Sequence, residues 1–273
     1  MTRLTREGTV RRDGVGIAYE TIESTGATAP WVVLVHGLGY ARWGWEPVVR
    51  PLAERFRLVL LDNRGVGASD VPPGPYDTAT MADDVLAVLD QLALDRVHLI
   101  GTSLGGMIAQ QVALRAPERV DRLVLVCTTP GGDAAYPLPQ ATLELLQRMP
   151  ELEPDKALRL AVHNALADRT VAERPEVGER ILHFRRTVPQ DPAGWSAQAA
   201  AGTGHALGDA VVDIAHPTLV IHGDQDRVVD VRNAALLGEL MPDARVRVLP
   251  GLGHLLFWDD PDRFTAELVS FLS

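Results

Sequence analysis

Apolar runs punctuate this chain, and each ends at a glycine or a polar turn. TVRRDGVGIAYETI reads as two strands joined at Asp13-Gly14, a pair suited to a tight hairpin. WVVLVHG (31–37) is apolar on both faces, the pattern of a buried parallel strand. RLVLLDNRG (57–65), RVHLIG (96–101), RLVLVC (122–127), PTLVIHG (217–223) and ARVRVLPG (244–251) follow in the same style. Helical patterns lie between them. TATMADDVLAVLDQLAL (78–94) puts Met81, Val85, Val88, Leu89 and Leu92 on one stripe. LGGMIAQQVALRAPERV carries a helix until Pro117 stops it, RNAALLGELMP one that ends at Pro242, and PDRFTAELVSFL closes the chain. Strand and helix alternate, which predicts a parallel sheet wrapped by helices.

Residues 131–212 break this rhythm. Turn-rich TTPGGDAAYPLPQ leads into ATLELLQRM, KALRLAVHNAL and ERILHFRRTV, all of helical period and none strand-like. The expected organisation is a core domain from 1–130 and 213–273, with 131–212 as a helical lid over the strand ends. A length of 273 residues suits one α/β domain carrying such an insertion.

Charge and cysteine usage narrow the function. A formal net charge of −10 disfavours nucleic acid and anionic membrane as partners. Cys127 is the single cysteine, so no internal disulfide forms, and no Cys/His spacing resembles a zinc site. The opening MTRLTREGTVRRDG holds no apolar segment of the signal-peptide kind, and no apolar run approaches the roughly 18 residues that span a membrane. A cytoplasmic location is the expectation.

In an open α/β sheet, ligands bind beyond the carboxyl ends of the strands. Four such ends carry His36-Gly37-Leu38-Gly39, Gly101-Thr102-Ser103-Leu104-Gly105, His222-Gly223-Asp224-Gln225-Asp226 and Pro250-Gly251-Leu252-Gly253-His254. Gly-x-Ser-x-Gly between a strand and a helix lets a serine occupy a strained turn, with its hydroxyl pushed outward. The competing reading of Ser103 is a helix N-cap. A serine nucleophile needs a base, held in one tautomer by a carboxylate. His254 fits the base and Asp226 its partner, with Asp224 as the rival carboxylate.

These segments resemble the α/β-hydrolase fold superfamily, in the group of carboxylesterases, enol-lactonases, cofactor-free haloperoxidases and C–C hydrolases. The resemblance covers roughly 15–130 and 213–273 and rests on HGLG, LDNRGVGASD, IGTSLGG, PTLVIHGDQDRVV and LPGLGHLLFWDDP in that order. It implies a mostly parallel eight-stranded sheet with a helical lid after the sixth strand. It further implies Ser103 as nucleophile, Asp226 as acid and His254 as base, and the backbone N–H groups of Leu38 and Leu104 as the oxyanion hole. No metal and no organic cofactor belong to such a site. The implied substrate is a small to medium carboxylic ester or lactone, attacked through an acyl-enzyme that water releases. Perhydrolase, enol-lactonase and C–C hydrolase chemistry use the same three residues. A non-catalytic ligand sensor is the rival from another class.

Other residues invite chemical readings with a structural alternative. His36 is expected to shape the oxyanion loop, and Asp62, Arg64 and Ser69 to brace theirs. His222 and His98 are read as structural, and Cys127 as a small buried residue. Trp43 and Trp45 are expected to pack. Arg185 or Arg186 could receive a substrate carboxylate, or simply form the solvated face of a helix. Trp195 and His205 are possible pocket residues. Leu138, Leu143, Leu146, Phe184 and Trp195 suggest an apolar substrate half.

Overall fold

A computed structural model of the chain describes residues 5–24 and 28–273; residues 1–4 and 25–27 of the expected core segment lie outside the described residues. β1 (Thr5–Arg12) and β2 (Val15–Ile22) pair antiparallel with Arg12 opposite Val15. The two residues between them, Asp13 and Gly14, take φ of 51° and 84°. That is the turn whose twist matches a hairpin, and Asp and Gly tolerate it. β3 (Trp31–Val35), β4 (Arg57–Leu61), β5 (Val97–Thr102), β6 (Val120–Val126), β7 (Thr218–Gly223) and β8 (Ala244–Leu249) follow. All join one eight-stranded sheet in the order β1-β2-β4-β3-β5-β6-β7-β8. β2 runs antiparallel to β4, and every pair from β4 to β8 is parallel.

Helices cover both faces because the central strands are apolar on both. α1 (Glu46–Leu52), α2 (Thr78–Gln91) and α3 (Leu104–Arg115) belong to the first half of the chain. The insertion after β6 folds as α4 (Gln140–Arg148), α5 (Pro154–Ala165), α6 (Asp168–Glu173), α7 (Pro175–Thr187) and α8 (Pro192–Thr203). The second half adds α9 (Arg232–Leu240), α10 (Leu256–Asp259) and α11 (Pro261–Leu272). Val33, Val35, Val59 and Leu99 pack with α2, α3 and α9, while Val32, Leu34, Leu58 and Ile100 pack with α1 and α11. The split follows the alternation of side chains along a strand. Each such fully buried Val or Leu contributes roughly 1.5–3 kcal/mol.

α2 begins where Asp77 accepts from Thr80 N–H at 2.6 Å. It stops at Gln91, short of the expected Leu94, because Ala93 takes φ 50° and Leu94 N–H turns back to the Leu89 carbonyl. Glycine usually marks that position, so an alanine there hides the stop in the sequence.

The insertion is tied down unevenly. Gly194 of α8 sits so close to Gly65 that a side-chain carbon on it would collide with the Gly65 carbonyl. Gly131 bridges Ala206 at the base of the insertion. By contrast Leu143 and Leu146 of α4 are exposed, with Leu138 just before it. No helix among the described residues is long and apolar enough to cross a membrane.

Candidate active site

Ser103 stands between β5 and α3 with φ 54° and ψ −120°. Those angles are costly for a residue with a Cβ. Surrounding bonds fix them. Ser103 N–H donates to the Val126 carbonyl at 2.8 Å, and the Ser103 carbonyl accepts from the Thr128 hydroxyl at 2.8 Å. Closeness explains the flanking glycines: a Cβ on Gly101 would strike the Gly105 carbonyl, and one on Gly105 the Val35 carbonyl. The Ser103 side chain makes no capping bond to α3. Ser103 occupies the N-cap position and lines a cavity, and its hydroxyl is not used as a cap.

Leu38 and Leu104, the expected oxyanion donors, flank this serine. Leu104 opens α3 as its first residue, a position whose N–H has no acceptor within the helix. The HGLG loop passes close by, with a Cβ on Gly37 falling 2.9 Å from Ser103 Cβ. Its other N–H groups are engaged. Gly37 N–H donates to His36 Nδ1 at 2.7 Å, Gly39 N–H to Gln198 Oε1 at 3.2 Å, and Tyr40 N–H to the Gly37 carbonyl at 3.3 Å. Leu38 N–H meets no acceptor among the described residues. Burial lowers the His36 pKa to about 3, so this ring stays neutral and accepts from the loop. Asn63 Nδ2 braces the same loop by donating to the His36 carbonyl at 2.8 Å.

Asp226 and His254 meet from the loops after β7 and β8. His254 Nδ1 lies 2.8 Å from Asp226 Oδ2. Since the carboxylate accepts, Nδ1 carries the proton and Nε2 keeps a lone pair. Asp226 Oδ1 accepts from Val228 N–H at 2.7 Å and Val229 N–H at 2.9 Å. A second imidazole, His222, places Nε2 2.9 Å from Asp226 Oδ2. Burial raises the Asp226 pKa, but the His254 ring and the His222 hydrogen bond more than reverse it. The carboxylate is held well below its ordinary range. Asp224, the rival, instead accepts from Gly251 N–H at 2.7 Å and pins the β8 turn.

Ser103 and His254 line one cavity of about 340 Å³, together with His36, Gly37 and Leu38. Leu145, Leu146 and Met149, with Leu158 and Val162 of α5, make an apolar wall. Trp195 and Arg185 also face the cavity. Arg185 donates Nη1 to the Gly39 carbonyl and lies over the Tyr40 ring, 5.2 Å from its centroid. No carboxylate pairs with Arg185 among the described residues. Arg186 is paired with Asp155 at 2.5 Å, away from the cavity lining.

The other candidates fall outside. His205 binds the Thr78 hydroxyl at 3.0 Å and anchors the insertion to α2. Phe184 stacks on Trp43, with ring centroids 5.0 Å apart, and Leu138 and Leu143 are exposed away from the lining. Trp45 is buried against Phe257. Asp62 accepts from Arg42 and Ala68 N–H at 2.7 and 2.9 Å, and Arg64 forks onto Asp84 at 2.6 and 2.7 Å. Ser69 donates to the Asp62 carbonyl at 2.6 Å. His98 is buried near Asp121, 3.4 Å away.

His222 and Gln198 are the residues that sequence reasoning underrated. Neither belongs to a motif with a chemical signature. Only the strand-end geometry of His222 and the glycine context of α8 hint at them. Cys127, His222 and Asp226 offer three donor atoms within 4.8 Å of one another. Asp226 is already engaged there with two imidazoles and two backbone N–H groups. Burial, with the Asp226 charge beside it, raises the Cys127 thiol well above its ordinary range. The three side chains therefore form one hydrogen-bonded cluster around the Asp226 carboxylate.

Residues 30–261 match the family described as alpha/beta hydrolase fold. The chain is 31% identical to a 2-hydroxy-6-oxononadienedioate/2-hydroxy-6-oxononatrienedioate hydrolase of Cupriavidus pinatubonensis, over 91% of this chain and 88% of the relative. Among solved structures, Est816, described as an N-acyl homoserine lactone degrading enzyme, superposes with TM-score 0.83 at 30% identity. That match covers 97% of this chain and 100% of Est816. The enol-lactonase of Burkholderia xenovorans LB400 superposes with TM-score 0.85 at 27% identity, over 97% of this chain and 99% of the enzyme.

Proposed function

The chain belongs to the α/β-hydrolase fold family, and we propose that it is a serine hydrolase cleaving a small to medium carboxylic ester or lactone. The observation that carries this reading is the 2.8 Å Asp226–His254 hydrogen bond beside a cavity that Ser103 also lines. Asp226 fixes His254 with Nδ1 protonated. His254 Nε2 takes the Ser103 proton as Oγ attacks the carbonyl carbon. The carbonyl oxygen becomes an oxyanion, received by the N–H groups of Leu38 and Leu104. Each such donor is worth roughly 2.7–4 kcal/mol in the transition state. Collapse expels the alkoxide, which His254 protonates. Water then attacks acyl-Ser103 with His254 again as base, and the acid leaves.

A second reading, on the same three residues, is favoured by Arg185. A guanidinium on the cavity with no carboxylate partner among the described residues suits a substrate that carries a carboxylate besides the scissile bond. The dienedioate named for the Cupriavidus relative is of that kind. Such a substrate would place its apolar half against α4 and α5.

Labelling with a fluorophosphonate probe and steady turnover of p-nitrophenyl acetate test the proposal together. Ser103→Ala is expected to lose labelling and to lower kcat on the order of 10⁶-fold. Labelling at another residue, or turnover that survives this substitution, rejects the mechanism. One labelling event without steady release would instead identify a ligand sensor.

A further inference from the structure

We propose that Gln198 of α8 is a positioning residue for the oxyanion donor Leu38, so that the insertion completes the oxyanion hole. This rests on the ester-hydrolase reading above. α8 has the sequence PAGWSAQAAAGT, in which one large amide stands among alanines and glycines. Gln198 is fully buried. A buried amide is costly unless it finds partners, and here two of them, at Gly39 and Arg64, belong to the core and one, Gln190, to the insertion. Oε1 accepts from Gly39 N–H at 3.2 Å and from Gln190 Nε2 at 3.0 Å, while Nε2 donates to the Arg64 carbonyl at 2.7 Å. Reversing the amide would set NH₂ against an N–H, so its orientation is fixed.

The consequence for Leu38 follows from peptide planarity. Leu38 N–H shares a rigid plane with the Gly37 carbonyl. That carbonyl is held by a long 3.3 Å bond from Tyr40 N–H, a weak restraint. The next plane carries Gly39 N–H, which Gln198 holds. The one after it carries the Gly39 carbonyl, which Arg185 of α7 holds. Residues of the insertion therefore grip both sides of Gly39 and fix the turn that aims Leu38. The grip is stiff because α8 is itself in backbone contact with the core, Gly194 on Gly65. Hydrogen-bond donors stabilise an oxyanion only where they are already aimed.

The test compares wild type with Gln198→Met, which keeps the volume and removes the polar grip, and with Gln198→Glu, which keeps an acceptor for Gly39 N–H. Turnover of p-nitrophenyl butyrate is measured per active site titrated with fluorophosphonate, so unfolded molecules do not count. Gln198→Met is expected to lower kcat about ten-fold or more with KM within about two-fold; outright loss of an oxyanion donor costs about 10²–10³. Ki for a trifluoromethyl ketone, whose hemiketal oxyanion occupies the same hole, should rise in step with the fall in kcat/KM. Gln198→Glu should recover part of both. Hydrogen exchange of the 36–41 amides should rise in Gln198→Met while the β5 amides stay protected. Unchanged kcat and Ki in Gln198→Met overturn the proposal and leave the hydrolase reading standing. A wild type that turns over no ester overturns that reading instead. The exchange of 36–41 then decides the positioning claim alone, and unchanged exchange rejects it.

Discussion

At Asp226, one carboxylate accepts four hydrogens: two from backbone, one from His254 and one from His222. These partners hold its pKa well below the ordinary carboxylate range and favour the ionised form. Asp226→Asn is therefore expected to cost about 10⁴-fold in kcat, because an amide nitrogen facing His254 favours the wrong tautomer. Asp224→Asn keeps an acceptor for Gly251 N–H and should stay within about three-fold. Kinetics of the two variants on one ester decide it, and the reverse ranking would move the acid to Asp224. The meeting of Ser103, Asp226 and His254 was legible because each stands a fixed few residues from a glycine that ends a strand. His222 was not. Its approach to Asp226 depends on how the residues after β7 curl back through Val228 and Val229, and no local pattern encodes that curl.

Among elements, the strands and the framework helices were legible from period alone, since burial on two faces leaves a continuous apolar run. The insertion was legible as helical, but not how it attaches. Its anchors are small or polar: Gly194 on Gly65, Gln198 on Arg64, and His205 on Thr78. Hydrophobic patterning is blind to such contacts. His205 makes its anchor testable. Burial lowers its pKa from 6.5 to about 4. Above pH 6.5 both folded and unfolded chains hold it neutral. Between 6.5 and 4 only the unfolded chain takes up the proton, so stability falls as pH drops through that window. One such group contributes a slope of about 1.4 kcal/mol per pH unit. His205→Asn should reduce the slope of the urea-unfolding free energy by about that amount between pH 6 and 4.5. An unchanged slope would mean that His205 is not held neutral by the fold.

For the molecule as a whole, the formal net charge of −10 repels an anionic substrate at long range. A preference for one, as the second reading proposes, would have to arise inside the cavity, and Arg185 is a cation on its lining. The sequence could offer Arg185 and Arg186 only as equals, since adjacent helical residues point about 100° apart and the packing of α7 decides which faces inward. The structure pairs Arg186 with Asp155 and leaves Arg185 on the cavity, where it also holds the Gly39 carbonyl. Those two duties separate with matched esters. p-Nitrophenyl glutarate carries a free carboxylate; p-nitrophenyl valerate has the same acyl length without it. Loss of the Gly39 bond in Arg185→Met slows both. Loss of a carboxylate partner slows only the glutarate, and a charge-assisted bond is worth about 1.5–3 kcal/mol. The ratio of kcat/KM for glutarate over valerate should therefore fall about ten-fold or more in Arg185→Met. A ratio that stays constant while both rates drop would leave Arg185 as a clamp on the oxyanion loop and remove the case for an anionic substrate.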